Sequence, residues 1–131
     1  MESFAHLITK VSARYRTEFS QSLAGKGFGN ITPDYFIVLE KLWEENNISI
    51  GQLAQRTNKD NASISRIVDG MERNDLVRRI PHETDKRAYL ITLTKYSIGL
   101  KEQLVPIEAA VLEKATSGLN PIEVKELVRM L

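Results

Sequence analysis

Apolar residues fall at Phe4, Leu7, Ile8, Val11, Tyr15, Phe19 and Leu23, three or four positions apart, which predicts a helix over 4–23 with one buried face. AGKGFGN (24–30) interrupts that pattern. Its three glycines would suit a phosphate cradle only after a strand and before a Lys-Ser/Thr pair; neither is present, so a plain loop is expected. Thr32-Pro33 supplies a cap and a first-turn proline for a second helix, whose apolar stretch is 35–43. NNIS (46–49) follows as turn and cap. Ser49 and Gln52 have the spacing of a capping box, predicting a short helix over 50–56 with Leu53 and Ala54 facing inward.

After the polar turn TNKD (57–60), Ile64, Ile67, Val68 and Met71 stand at i, i+3, i+4 and i+7, the buried stripe of a fourth helix. At about 100° per residue its opposite face carries Ala62, Ser65, Arg66, Asp69 and Arg73, with Ser63 at the flank. Small, hydroxylated residues at its start let the backbone approach another surface closely. Gly70 costs this helix about 1 kcal/mol relative to alanine and has no local reason. Asn74-Asp75 should end it, since both types tolerate the left-handed conformation, and Leu76 then packs back. VRRI (77–80) and AYLITL (88–93) are β-branched and partly alternating, a hairpin with PHETDKR as its charged tip. Thr94 caps a final helical region with Ile98, Leu104, Ile107, Val111 and Leu112 apolar, and GLNP (118–121) opens a last helix through Val124, Leu127 and Leu131. The fold class expected is mainly α with a small β-hairpin. Two short helices joined by a four-residue turn and followed by a hairpin describe a winged helix-turn-helix, whose second helix enters the major groove of DNA.

A chain of 131 residues that is 42% hydrophobic can bury one modest core, so a single domain is expected. Its 18 Lys and Arg against 17 Asp and Glu leave a net charge of +1, so attraction to nucleic acid must be local: the Ser63–Arg66 face and the hairpin tip. Without cysteine there is no disulfide, thiolate metal site or thiol redox sensor. His6 and His82 show no ligand spacing, and no nucleophile sits beside a local base, so neither metal, cofactor nor catalytic residue is expected. No apolar run approaches the roughly 20 residues of a membrane span. MESFAHLITK also lacks the basic-then-apolar order of a signal peptide, so a cytoplasmic protein without a membrane partner is expected.

The segments ITPDYFIVL (31–39), ISIGQLAQRTNKDNASISRIVDGMERNDLVRRIPHETDKRAYLITLT (48–94) and GLNPIEVKELVRML (118–131) resemble the multiple antibiotic resistance regulator (MarR) family of bacterial transcription factors. Most specific is SISRIVDGMERNDLVRR followed by ETDKRAYLITLT, which matches recognition helix, strand and wing in uninterrupted order. The resemblance implies a homodimer held by N- and C-terminal dimerisation helices, binding double-stranded DNA at a pseudo-palindromic operator as a repressor and released by a small aromatic effector. It divides the chain into an N-terminal helix and loop (1–30), a DNA-binding lobe (31–94) and C-terminal dimerisation helices (95–131). Ser63, Ser65 and Arg66 look like its groove-facing contacts, Arg87 resembles its wing arginine, and Asp85 matches the acid that orients that arginine.

Each role has a mechanism. Arg66 can contact guanine O6 and N7 together, and Arg87 suits a narrow, strongly negative minor groove. Asp85 can fix the Arg87 guanidinium by a charge-assisted bond. Lys86 shares the tip, Lys59, Asn61 and Arg73 are phosphate candidates, and Arg78 and Arg79 point to opposite faces of their strand, so at most one should meet phosphate. The competing reading makes Asp85 and Arg87 a solvated loop pair. In the family, ligands lodge between the dimer helices and the DNA-binding lobe, so Tyr15, Tyr35, Phe36 and Trp43 are candidate lining residues by location, with core packing as the alternative. Departures are Asp75 where glycine is common, Ser97 at a glycine-like position, and a last helix that stops at Leu131, short of the family's usual one, which leaves two alternatives: a weakened dimer, or a helix completed by other contacts. The alternative function is a winged-helix protein–protein interaction module without DNA binding.

Overall fold

The computed structural model describes residues 2–85 and 87–131 and, among them, six helices and a three-stranded sheet. α1 (Phe4–Gly25) starts at Ser3, whose hydroxyl accepts the His6 N–H, and ends in a turn through Gly27 at φ +89°. The Phe28 N–H then donates to Leu23 O at 2.8 Å and returns the chain to the core. Only the C-terminal half of the predicted stripe is covered: Phe19 and Leu23 are buried, whereas Phe4 and Val11 are 79% and 64% exposed and Leu7 and Ile8 are exposed with them. The period was right and the burial was not, because the first turns of α1 have no other element among the described residues to lie against.

Thr32 Oγ1 accepts the Tyr35 N–H at 3.1 Å and opens α2 (Pro33–Glu44), which buries Phe36, Val38, Leu39 and Leu42. A two-residue strand, β1 (Ile48–Ser49), comes next; it is too short for the hydrophobic pattern to declare. The Ser49–Gln52 capping box forms as expected at the start of α3 (Ile50–Thr57). α4 (Asn61–Arg73) buries Ile64, Val68 and Met71 completely, with Ile67 packed at the edge. Asp75 then turns the chain at φ +58°, the left-handed region that spares glycine any penalty, which accounts for glycine in that place elsewhere.

β2 (Val77–Pro81) and β3 (Tyr89–Leu93) form the hairpin, with Val77 opposite Leu93 and Pro81 opposite Tyr89. β1 pairs with the other edge of β3, Ile48 opposite Ile91, giving the order β1-β3-β2. Asn46 locks that edge: its Oδ1 accepts the Leu93 N–H at 2.9 Å and its Nδ2 donates to Thr92 Oγ1 at 3.3 Å. α5 (Lys95–Ala115) runs beside α1. Ser97 is fully buried in its first turn and donates to Leu76 O at 2.6 Å, so a small residue is required there and a hydroxyl is satisfied. α6 (Pro121–Met130) is capped by Asn120 and Glu123 yet buries nothing. Ile98, Leu127 and Leu131, apolar in the sequence pattern, are exposed, because the outer face of α5 and the whole of α6 project from the core. No helix among the described residues is long and apolar enough to cross a membrane.

Candidate nucleic-acid interface

Asp60 organises the start of α4. Its Oδ1 accepts the Ser63 N–H at 2.7 Å, its Oδ2 accepts the Ser63 hydroxyl at 2.9 Å, and Arg66 Nη2 donates to Ser63 Oγ at 3.3 Å. The Ser63 N–H, then its hydroxyl, hold the Asp60 carboxyl below the usual carboxylate range. Asn61, Arg66 and Arg73 are exposed, and Ser63 and Ser65 are half-buried. The face predicted from periodicity therefore exists, but the Ser63 hydroxyl is already engaged in the cap. Asp60 was missed, although an aspartate just before a new helix is a strong cap signal.

At the hairpin tip the N–H groups of Thr84 and Asp85 donate to His82 Nδ1, both at 3.2 Å. Asp85 Oδ1 accepts the Arg87 N–H at 3.0 Å. The expected bond from Asp85 to the Arg87 guanidinium is thus corrected: the short carboxylate reaches the backbone two residues on, as aspartate does in turns. Arg87 itself is exposed, with no carboxylate at ion-pair distance among the described residues. Lys86 lies outside the described residues.

Both strand arginines are occupied by carboxylates. Arg78 meets Asp75 at 2.7 Å, while Arg79 reaches Asp69 at 2.6 Å and Glu72 at 2.8 Å, tying α4 to β2. Partial burial works to lower the Arg79 pKa, but Asp69 and Glu72 together raise it. Arg79→Ala should lower stability by about 1 to 2 kcal/mol and weaken binding to every duplex, because two carboxylates beside the α4 face lose their counterion. Thermal unfolding and duplex titration check this; an unchanged melting temperature would make the clamp irrelevant.

A cleft of about 700 Å³ opens between α1, the start of α2 and α4, bordered by Arg16, Lys59, Arg66 and Tyr35. Asp34 faces it: Oδ2 meets Arg16 Nη2 at 2.9 Å, while buried Oδ1 has Lys59 Nζ at 3.7 Å and no hydrogen bond among the described residues. Of the four aromatic candidates, Tyr35 alone lines this cleft. Tyr15 borders a separate cavity of about 330 Å³ between α1 and α5 and donates to Glu108 Oε1 at 3.3 Å. Burial, then the Glu108 charge, pushes its pKa up to about 12, so it remains a donor at neutral pH. Phe36 is buried between Phe19 and Trp43, and Trp43 Nε1 donates to Ser97 O at 3.0 Å. Those two rings are packing residues because α2 turns them towards α1 and α5.

A model of the MarR family matches residues 31–89. The HTH-type transcriptional regulator MgrA of Staphylococcus aureus is 32% identical over 102 residues, 78% of this chain and 68% of that protein. The HTH-type transcriptional regulator MhqR of Bacillus subtilis is 30% identical over 101 residues, 77% of this chain and 70% of that protein. The structure of Bordetella bronchiseptica BpsR, whose DNA binding is regulated by 6-hydroxynicotinic acid, superposes with a TM-score of 0.87 at 25% identity, covering 98% of this chain and 90% of that one.

Proposed function

The chain belongs to the MarR family of DNA-binding transcriptional regulators, and from that premise we propose that it acts in the cytoplasm as a homodimeric repressor at a pseudo-palindromic operator. The observation that carries this reading is the juxtaposition of two exposed probes: the α4 face bearing Ser65 and Arg66, and the hairpin presenting Arg87 without a carboxylate partner among the described residues. Arg66 reads base edges in the major groove and Arg87 enters the minor groove. Ser63 and Ser65 set the close approach, and Asn61, Arg73 and Lys86 meet phosphates. Residues 31–94 form the DNA-binding lobe, with 1–30 and 95–131 as the dimerising parts.

The effector is a small aromatic acid in the cleft bordered by Arg16, Lys59 and Arg66, where Tyr35 offers a ring and the three cations outnumber Asp34. It acts by favouring a spacing of the two lobes that a duplex does not accept. Selection of duplexes from random DNA should enrich an approximate palindrome, with affinity that falls steeply with salt. Titrating aromatic carboxylates at constant salt should then release the protein. Enrichment of nothing, or binding indifferent to salt, would leave a protein-binding module instead.

A further inference from the structure

Gly70 is buried in α4, one turn beyond Arg66. A Cβ there would overlap the Tyr35 hydroxyl and lie 2.9 Å from Tyr35 Cζ, closer than packed carbon atoms come. Tyr35 sits in the first turn of α2 with its N–H held by Thr32, and its half-buried ring packs against the core on one side and borders the cleft on the other. Gly70 is therefore glycine because a tyrosine from another helix rests directly on its backbone. A side chain at position 70 must displace that ring into the cleft or shift the two helices, and phenylalanine at position 35 would leave the place of the hydroxyl empty.

We propose that Tyr35, seated on Gly70, is a positioning residue that fixes how α4 stands out from the lobe, and so sets the sequence preference of Arg66 one turn away. The same tyrosine lines the cleft beside α4, so a molecule occupying the cleft would touch the side chain seated on Gly70. Gly70 gives up helix propensity relative to alanine to keep that seat. The inference rests on the DNA-binding reading above.

The test compares wild type, Gly70→Ala, Gly70→Ala with Tyr35→Ala, and Tyr35→Phe on a selected duplex, a scrambled duplex and in thermal unfolding. Gly70→Ala should lower the ratio of selected to scrambled affinity roughly tenfold, the size of one lost base contact, with scrambled binding unchanged. Adding Tyr35→Ala should relieve the overlap but leave the ratio low, because the seat itself is then lost. Tyr35→Phe, which keeps the ring, should lower the ratio without moving the melting temperature appreciably, and it decides the matter if Gly70→Ala does not fold. An unchanged ratio with a raised melting temperature in Gly70→Ala, as alanine's helix propensity alone would produce, overturns the inference. So does an equal fall on both duplexes. A wild-type protein that selects no duplex overturns the DNA-binding reading and this one together; a selective wild type with an equally selective Gly70→Ala overturns this one alone.

Discussion

Ile8→Asp combined with Val128→Asp is expected to convert the protein to monomers and to weaken binding to a duplex with two half-sites by about 10² to 10⁴-fold. α6 has ten residues, buries none of them in the protomer, and leaves Ile122, Val128 and Met130 exposed. Isolated helices shorter than about 12 to 15 residues are marginal in water, so this one needs a surface to lie on. The first turns of α1 have the matching lack, with Phe4, Leu7, Ile8 and Val11 uncovered. In the proposed homodimer, a second copy meeting both faces about a two-fold axis would supply the cover and set two recognition helices about 34 Å apart. Wild type at micromolar concentration should sediment at twice 14.9 kDa. On a duplex with a single half-site the double variant should bind nearly as well per protomer as wild type, since only the linkage between lobes is lost. A double variant that stays dimeric would place the interface elsewhere.

Arg66→Ala and Arg87→Ala are expected to fail differently. Removal of Arg66 should cost roughly 1 to 3 kcal/mol on the selected duplex, relax preference at particular base pairs and leave scrambled DNA nearly unaffected. Removal of Arg87 should weaken binding across sequences, reduce the salt slope by about one and erase any advantage of A·T-rich flanks. Asp85→Ala should resemble a mild Arg87→Ala with the salt slope almost unchanged, because the carboxylate holds the Arg87 backbone N–H and the charge of the arginine survives. Titrations at several salt concentrations separate these outcomes. An Arg87→Ala protein that binds like wild type on every duplex would reduce the hairpin tip to a solvated turn.

What could be read from the chain was what short-range chemistry decides. Thr32-Pro33, Ser49 with Gln52, and Asn74-Asp75 announce helix ends because cap and partner lie within a few residues, and each forms as expected. The inward stripe of α4 follows from period alone. The features that escaped depend on partners far along the chain. β1 exists only because β3 pairs with it, and Gly70 is explained only by Tyr35 on another helix. Periodicity marked the apolar side of α1 but could not say that its first half lies outside the protomer. Among the site residues, composition and position could suggest Asp85 beside Arg87, but only the turn geometry shows that the bond is to backbone.

Trp43 gives the molecule a built-in optical gauge. It is the chain's one tryptophan, and its indole N–H bonds the first turn of α5 while its ring stands edge-on to Phe36. A rotation of the proposed DNA-binding lobe that moves α2 against the first turn of α5 would stretch that bond and admit water to the indole, so the colour and yield of its emission should report such a motion. An effector or a duplex that moves the lobes would thus be visible without any attached dye, and one that binds without moving them would be dark by the same measurement.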